Sequence, residues 1–220
     1  MPNWCSNKIF LVTDEKQDLL DFADEMNTVP QADDTPPGFH LDKVLPTPPE
    51  LLEIGAPTKT FSTQEECDEW NERFPSVLAE DAIKYRAITE ERHASLTKKY
   101  GAVNWYEWAT SNRGTKWNIE PIELDSDMIE EHHHFTEYGK YALIIEFETA
   151  WAPPEPVAKL MSEGWPFTVV IIYCEVGVGF CGYTAYHAGF TKAEEFAQDI
   201  WDNKAIAACL ATSLMTMEGG

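Results

Sequence analysis

Residues 7–13, NKIFLVT, form a short apolar run with the length and composition of a buried strand. Asp14 then suits a helix N-cap, with Gln17 at the capping-box position. Leu19, Leu20, Ala23 and Met26 recur at helical spacing across about 15–27, and Asp18, Asp21, Asp24 and Glu25 fall between them, facing water. A Pro- and Asp-rich loop over 28–38 leads to a second apolar stretch, FHLDKVL. That stretch reads as a strand closed by PTPPE, since proline cannot continue a ladder.

Between 55 and 115 the pattern turns helical. Ser62 or Thr63, with Glu65 or Glu66 three residues on, is a helix start, and Pro75 ends that helix. Leu78, Ala82, Tyr85, Leu96 and Tyr100 predict a longer helix over about 77–100, with Gly101 just past its end. A short helix follows over 103–111. From Lys116 the strands return. KWNIEPIEL carries Trp117, Ile119, Ile122 and Leu124, and segments 128–138 and 140–149 can pair across Tyr138-Gly139-Lys140. ETAWAPPEP opens a helix with Val157, Leu160 and Met161 on its apolar face, because proline is tolerated in a first turn. FTVVIIYCEV and GVGFCGYTAYHAG make a hairpin. Thr191, with Glu194 three on, then starts a C-terminal helical segment.

With the insertion set aside, the order is β-α-β followed by β-α-β. The expected fold is α+β, a ferredoxin-like sandwich with a mostly antiparallel sheet and helices on one face. One domain spans 1–220, with its core in about 1–54 and 116–190. A helical insertion fills about 55–115, and C-terminal helices cover 191–216.

Charge narrows the functional classes. The chain carries 38 acidic and 16 basic side chains, a formal net charge of −22, on a composition that is 44% hydrophobic and therefore foldable. Direct nucleic-acid binding is disfavoured, because its affinity comes largely from cations on phosphates. A basic partner is favoured. No apolar run approaches the roughly 18 residues of a membrane span, and MPNWCSNK does not read as a secretory signal. The expectation is no membrane partner and a location in the host-cell cytoplasm. Cys5, Cys67, Cys174, Cys181 and Cys209 contain no C-x-x-C pair, so they read as reduced thiols rather than a zinc site.

Four blocks resemble one family: MPNWCSNK (Met1 to Lys8), LPTPPEL (Leu45 to Leu51), YGAVNWYEWATSNRGTKWN (Tyr100 to Asn118) and FETAWAPPEP (Phe147 to Pro156). Together, in this order, they resemble the YubB-like proteins of plasmids and bacteriophages, which have a ferredoxin-like domain and no settled activity. The resemblance implies a mobile-element origin and the same fold, and it carries over no catalytic residues. Arg113 departs from the aromatic expected in a W-G-T-K-W run.

Three constellations hold candidate chemistry. Trp105, Trp108, Arg113, Lys116 and Trp117 combine aromatic faces with cations in a locally basic region. They suit a nucleotide pocket, or a packing clamp between the insertion and the sheet. EEHHHF offers His132 and His134 as weak metal ligands, against a solvated loop tip. The acidic runs include Asp18, Asp21, Asp24, Glu25, Asp33 and Asp34, then Glu65, Glu66, Asp68 and Glu69, then Glu130 and Glu131. Carboxylates so spaced can imitate a phosphate track. There is no P-loop, G-x-S-x-G or H-E-x-x-H motif. No cofactor and no catalytic residue is expected. The leading expectation is a phage- or plasmid-encoded inhibitor that occupies the basic groove of a nucleic-acid-binding host defence protein. The alternative is a nucleotide- or metal-binding protein or enzyme that uses the aromatic insertion. An RNA binder using Phe180 and Tyr186 on an open sheet face ranks last.

Overall fold

The computed structural model describes residues 3–28, 36–75, 83–133 and 135–198. In chain order the elements are β1 (Trp4–Thr13), α1 (Lys16–Asn27), α2 (Leu41–Val44), α3 (Pro49–Leu52), β2 (Ile54–Phe61), α4 (Gln64–Arg73), β3 (Tyr85–Thr89), α5 (Glu90–Tyr100) and α6 (Trp105–Trp108). They continue with β4 (Ile129–Glu131), β5 (Tyr141–Ala150), α7 (Glu155–Gly164), β6 (Thr168–Glu175), β7 (Phe180–His187) and β8 (Phe190–Gln198). The chain divides into two compact units, 1–45 with 117–220, and 46–116.

The first unit holds a six-stranded sheet in the order β4-β5-β1-β6-β7-β8. Every neighbouring pair in it is antiparallel. Taken along the chain, β1-α1-β4-β5-α7-β6 is a ferredoxin-like β-α-β-β-α-β unit, widened on one side by the β7–β8 hairpin. Leu19, Phe22, Ala23 and Met26 of α1 and Val157, Ala158 and Met161 of α7 bury one face of the sheet. They pack on Ile9, Leu11, Leu143, Ile145, Val169 and Ile171. On the other face Phe10, Val12, Ala142, Val170, Ile172 and Ala185 form a smaller cluster, with Phe135 and Tyr138 against it. Burial on both faces explains why TVVIIYCE reads as a continuous apolar run rather than an alternating one.

Several expectations are corrected. FHLDKVL is not the second strand. Phe39 makes a single antiparallel bridge to Ile122, and residues 41–44 are one helical turn. Leu41, Val44 and Leu45 fit a helical period as well as an extended one. The second strand is β4, only three residues long, so the connection from α1 carries the whole insertion. The segment after 190 is strand β8, not a helix. Its Thr191/Glu194 spacing mimics a capping box, but here the residues pair with Tyr186 and Thr184. The rest of the expected C-terminal helix, 199–216, lies outside the described residues. Cys174 and Cys181 face one another across the β6–β7 hairpin and are disulfide-bonded, so they are not the reduced thiols expected. Cys5 and Cys67 are free and buried, and Cys209 lies outside the described residues.

The second unit is mixed α/β rather than helical. Parallel strands β2 and β3 pair from Ile54 with Tyr85 to Phe61 with Thr89, with α4, α5 and α6 as its longer helical stretches. The predicted 77–100 helix is instead β3 followed by α5. Thr89 separates them as N-cap, accepting a hydrogen bond from the Arg92 N–H at 3.2 Å. Gly101 ends α5 in the left-handed conformation, with φ of 72°. Leu78 and Ala82 lie outside the described residues. Asn71 ties α4 to β3: its Oδ1 accepts from the Arg86 and Ala87 N–H groups, each at 2.8 Å, and its Nδ2 donates to the Ala87 carbonyl at 3.1 Å.

The start of α4 is a full capping box. Thr63 Oγ1 accepts from the Glu66 N–H, and the Glu66 carboxylate accepts from the Thr63 N–H at 3.1 Å. Thr63→Ala is expected to cost the inserted unit about 1 kcal/mol. Faster amide exchange across α4, with exchange of β1 and β6 unchanged, checks this. Uniform exchange in both places would show that the box does not hold the helix.

Candidate functional site

The apolar stripe of α1 fixes which way its charges point. Once Leu19, Phe22, Ala23 and Met26 are buried, Asp21, Asp24 and Glu25 are exposed and Asp18 half-buried. The helix begins one residue later than expected, with Glu15 rather than Asp14 in the cap position and no side-chain cap. Thr13 serves in its place: its Oγ1 accepts from the Glu15 N–H at 3.1 Å and donates to Asp18 Oδ2 at 3.2 Å. Asp18 in the first turn also suits the positive end of the helix dipole. At the other end, Lys43 Nζ donates to the carbonyls of Met26 and Thr28, a cation on the negative end. Burial lowers the Lys43 amine from its ordinary pKa, against the opposing pull of Glu25. Glu25 Oε2 accepts from the Trp165 indole N–H at 3.3 Å, which holds that carboxylate over the Phe22–Trp165–Phe167 cluster.

A second acidic run is hydrogen-bonded to the end of α1. Asn27 at the end of α1 donates from Nδ2 to the Leu124 carbonyl at 2.7 Å, and its Oδ1 accepts from the Leu124 N–H at 3.1 Å. This pins the 120–131 segment beside α1. Around buried Leu124, the side chains of Glu120, Glu123, Asp125, Asp127, Glu130 and Glu131 are exposed. Asp125 is partly committed to structure, accepting from the Asp127 N–H at 3.1 Å in the turn before β4. Glu131 pairs with Lys140 at 3.0 Å in the open, a contact of little energetic weight. Hydrogen bonds thus join the end of the acidic helix α1 to a second acidic run about a hundred residues away in sequence. The acidic charge is unevenly divided between the units. The ferredoxin-like unit holds 7 Lys and Arg against 26 Asp and Glu, or −19, and the inserted unit 9 against 12, or −3.

The remaining acidic candidates fall elsewhere. Glu65, Glu66, Asp68 and Glu69 are exposed on α4 of the inserted unit. Asp33 and Asp34 lie outside the described residues.

His132 is buried, just past the end of β4, with its N–H donating to the Lys140 carbonyl at 3.2 Å. His133 is exposed, and His134 lies outside the described residues. His132 and His133 line an open cleft of about 310 Å³ with Asp14, Glu131, Thr136, Gly139 and Lys140. Among the described residues no group of three His, Cys, Asp or Glu is arranged to hold a metal. Gly139 closes this loop where no side chain fits, since a Cβ there would lie 2.4 Å from the Thr13 carbonyl carbon, at a φ of 157°.

The aromatic candidates separate. Trp117 belongs to the ferredoxin-like unit and packs on Trp4, ring centroids 6.1 Å apart. Trp108 and Arg113 are buried within the inserted unit. The Arg113 guanidinium sits 5.7 Å from the Trp108 ring and donates from Nη2 to Thr47 Oγ1 at 2.8 Å. Trp105 and Lys116 do line a cleft, of about 420 Å³, with Ala56, Pro57, Thr58, Asn104, Tyr106 and Glu107. Tyr106 is not among the expected candidates and joins this cleft beside Trp105. The four-residue helix that carries both continues as a single wide turn over 109–113. Two other lysines of the inserted unit are paired: Lys84 with Glu53, and Lys99 with Glu50 at 2.9 Å.

Phe180 and Tyr186 sit on the helix-covered face rather than an open one. The Tyr186 hydroxyl reaches Glu155 Oε1 at 3.4 Å, and Phe180 packs on Tyr173.

The strand order and both packed helices agree with the sequence comparison. Residues 128–208 match a family model described as a ferredoxin-like domain in Api92-like protein. The fold is ferredoxin-like. A crystal structure of a protein api92 from Yersinia pseudotuberculosis aligns with 90% of this chain and 98% of that one, at 10% identity and a TM-score of 0.44. No curated protein matches the chain. No helix among the described residues is long and apolar enough to cross a membrane.

Proposed function

We propose that this chain is a binding protein of a phage or plasmid that inhibits a nucleic-acid-binding defence protein in the host cytoplasm. Its ferredoxin-like unit would present carboxylates to a basic groove that otherwise holds DNA or RNA. The observation behind this reading is that two acidic segments, α1 and 120–131, are tied together by the paired Asn27–Leu124 hydrogen bonds on a unit of charge −19. A surface of one sign steers a partner of the opposite sign and suppresses others.

The test is capture from a bacterial lysate on the immobilised full chain. The expected result is retention of nucleic-acid-binding proteins, their release by added duplex DNA or RNA, and slower association as salt rises. Asp18→Lys, Asp24→Lys and Glu25→Lys together should reduce capture by about ten-fold or more. Glu65→Lys with Glu69→Lys on α4 reports whether the inserted unit shares the contact. Capture that ignores competitor, salt and the α1 reversals would sink the proposal.

A further inference from the structure

At one end of the ferredoxin-like sheet β1 begins while β5 and β6 finish, since Trp4 lies opposite Ala150 and Cys5 opposite Glu175. Four large apolar side chains stand exposed at that end: Trp4 at 49%, Trp151 at 55%, and Val176 and Val178 of the β6–β7 turn. Apolar side chains gathered at the surface in this way belong to an interaction site more often than to a fold's own packing.

Trp151 says most about this surface. Its φ is 77°, the left-handed region that is costly for a bulky side chain and suits glycine or asparagine. Its backbone N–H donates to the Asn3 carbonyl at 3.0 Å, which fixes the turn. Among the described residues its side chain makes no hydrogen bond and no ring contact. The fold itself would be at least as stable with glycine there. The neighbouring turn is equally fixed. Glu175 is buried, and its carboxylate accepts from the Gly177 N–H at 2.7 Å and the Val178 N–H at 2.5 Å. Asn3 packs on that turn, so that a Cβ at Gly177 would lie 2.8 Å from Asn3 Nδ2. Asn3 thus ties the Trp151 turn to the Val176–Val178 turn, and the apolar side chains are held outward before any partner arrives.

Charge decides what can cover this surface. The unit carries −19, so a second copy, a nucleic acid or an anionic membrane is repelled. Glu148 is the diagonal neighbour of Trp4 across β1 and β5, on the same face of the sheet. It is exposed and, among the described residues, its side chain makes no ion pair or hydrogen bond. Lys8, the next charged residue along β1, pairs with Glu146 at 3.0 Å instead. An exposed indole beside an uncompensated carboxylate suits arginine above other cations. A guanidinium stacks on an aromatic face, gives a carboxylate two parallel hydrogen bonds, and is more weakly hydrated than a lysine ammonium.

We propose that this end of the sheet docks an arginine-bearing segment of a protein partner. Guanidinium groups stack on Trp4 and Trp151, one of them pairs with Glu148, and apolar side chains of the same segment rest on Val176 and Val178. This rests on the reading of the ferredoxin-like unit as the part met by a basic protein, and adds the contact that selects arginine over other cations.

Titration calorimetry on the full chain, with end-blocked hexa-arginine and hexa-lysine peptides at equal ionic strength, tests this. Hexa-arginine is expected to bind about ten-fold more tightly than hexa-lysine. Trp151→Gly should leave the melting temperature unchanged or raise it, because glycine suits the left-handed turn, while reducing the arginine preference several-fold. Adding Trp4→Ala should bring the two peptides within about two-fold of one another. Glu148→Gln should weaken hexa-arginine by a few-fold more than hexa-lysine. Equal affinity for the two peptides in the wild type overturns the proposal, as does an arginine preference that survives both tryptophan substitutions. A wild-type mass that doubles with concentration, and that Trp151→Gly returns to one chain, would overturn it in favour of a second copy. Equal peptide affinities alongside capture that the α1 reversals abolish would sink this contact and leave the proposed function standing. Binding of neither peptide at millimolar concentration counts against both.

Discussion

Replacing Phe22 by alanine is expected to lower the stability of the ferredoxin-like unit by about 4 kcal/mol. Phe22 is fully buried at the centre of α1, edge-on to Trp165 at 5.1 Å and to Phe167 at 5.4 Å. Truncation loses the apolar burial of the ring and leaves a cavity among partners that cannot close it, because Trp165 and Phe167 are themselves stacked. In a domain of this size the melting temperature should fall on the order of 10 °C. Phe22→Leu retains much of the volume and should cost roughly half as much. A loss below about 1 kcal/mol in urea melts would mean that α1 is not seated on the sheet this way. Because Glu25 is held through Trp165, the same variant should also loosen the acidic face at temperatures where the unit is still folded.

Alkaline pH is expected to unfold this unit well before it would affect an ordinary acidic domain. Burial first, and then the neighbouring Glu175 carboxylate, push the Cys5 thiol up to about 12. Burial first, and then Glu155, push the Tyr186 phenol up to about 12, and Tyr173 is raised by the same two causes. Each group is neutral when protonated and has its pKa raised by folding. The folded chain therefore holds protons that the unfolded chain has released, and stability falls with rising pH. The contribution is intact below about pH 9, where an unfolded thiol keeps its proton, and declines as pH climbs towards 12. Cys5 alone accounts for a loss on the order of 4 kcal/mol across that window. Urea melts at pH 8, 10 and 11 should show this decline. Cys5→Ala should flatten it, and Tyr186→Phe should flatten it further. A pH dependence that is the same in all three proteins would show that these side chains are hydrated in the folded state.

How much of this was legible in the sequence follows from how strongly each period was written. β1, α1, α7, β6 and β7 carry long apolar runs or clear stripes, and they stand where those patterns put them. β4 falls inside the 128–138 segment expected to pair with 140–149, but keeps only three residues of it, and FHLDKVL, whose apolar spacing also fits a helix, forms one bridge and one helical turn instead of a strand. β8 is a largely exposed strand of the sequence FTKAEEFAQ, whose polar residues follow neither a strand nor a helix pattern. β3 was lost because its short apolar core fitted the stripe of the helix after it. At the candidate sites, the exposure of the α1 carboxylates was readable from the stripe opposite them. The arrival of the 120–131 run was not, since it depends on two hydrogen bonds between residues 97 apart. The aromatic cluster misled because adjacency in sequence is not adjacency in space: Trp117 belongs to the other unit, and Trp108 is buried while Trp105 and Tyr106 line a cleft.

The bridge between Phe39 and Ile122, with the Asp42 N–H donating to Asn118 Oδ1 at 3.2 Å, brings together the chain segments on either side of residues 46–116. The chain leaves the ferredoxin-like unit and re-enters it at one doorway, closed by that unit's own hydrogen bonds. Whatever is spliced into such a doorway can grow, shrink or be exchanged without reordering a single strand of the host sheet.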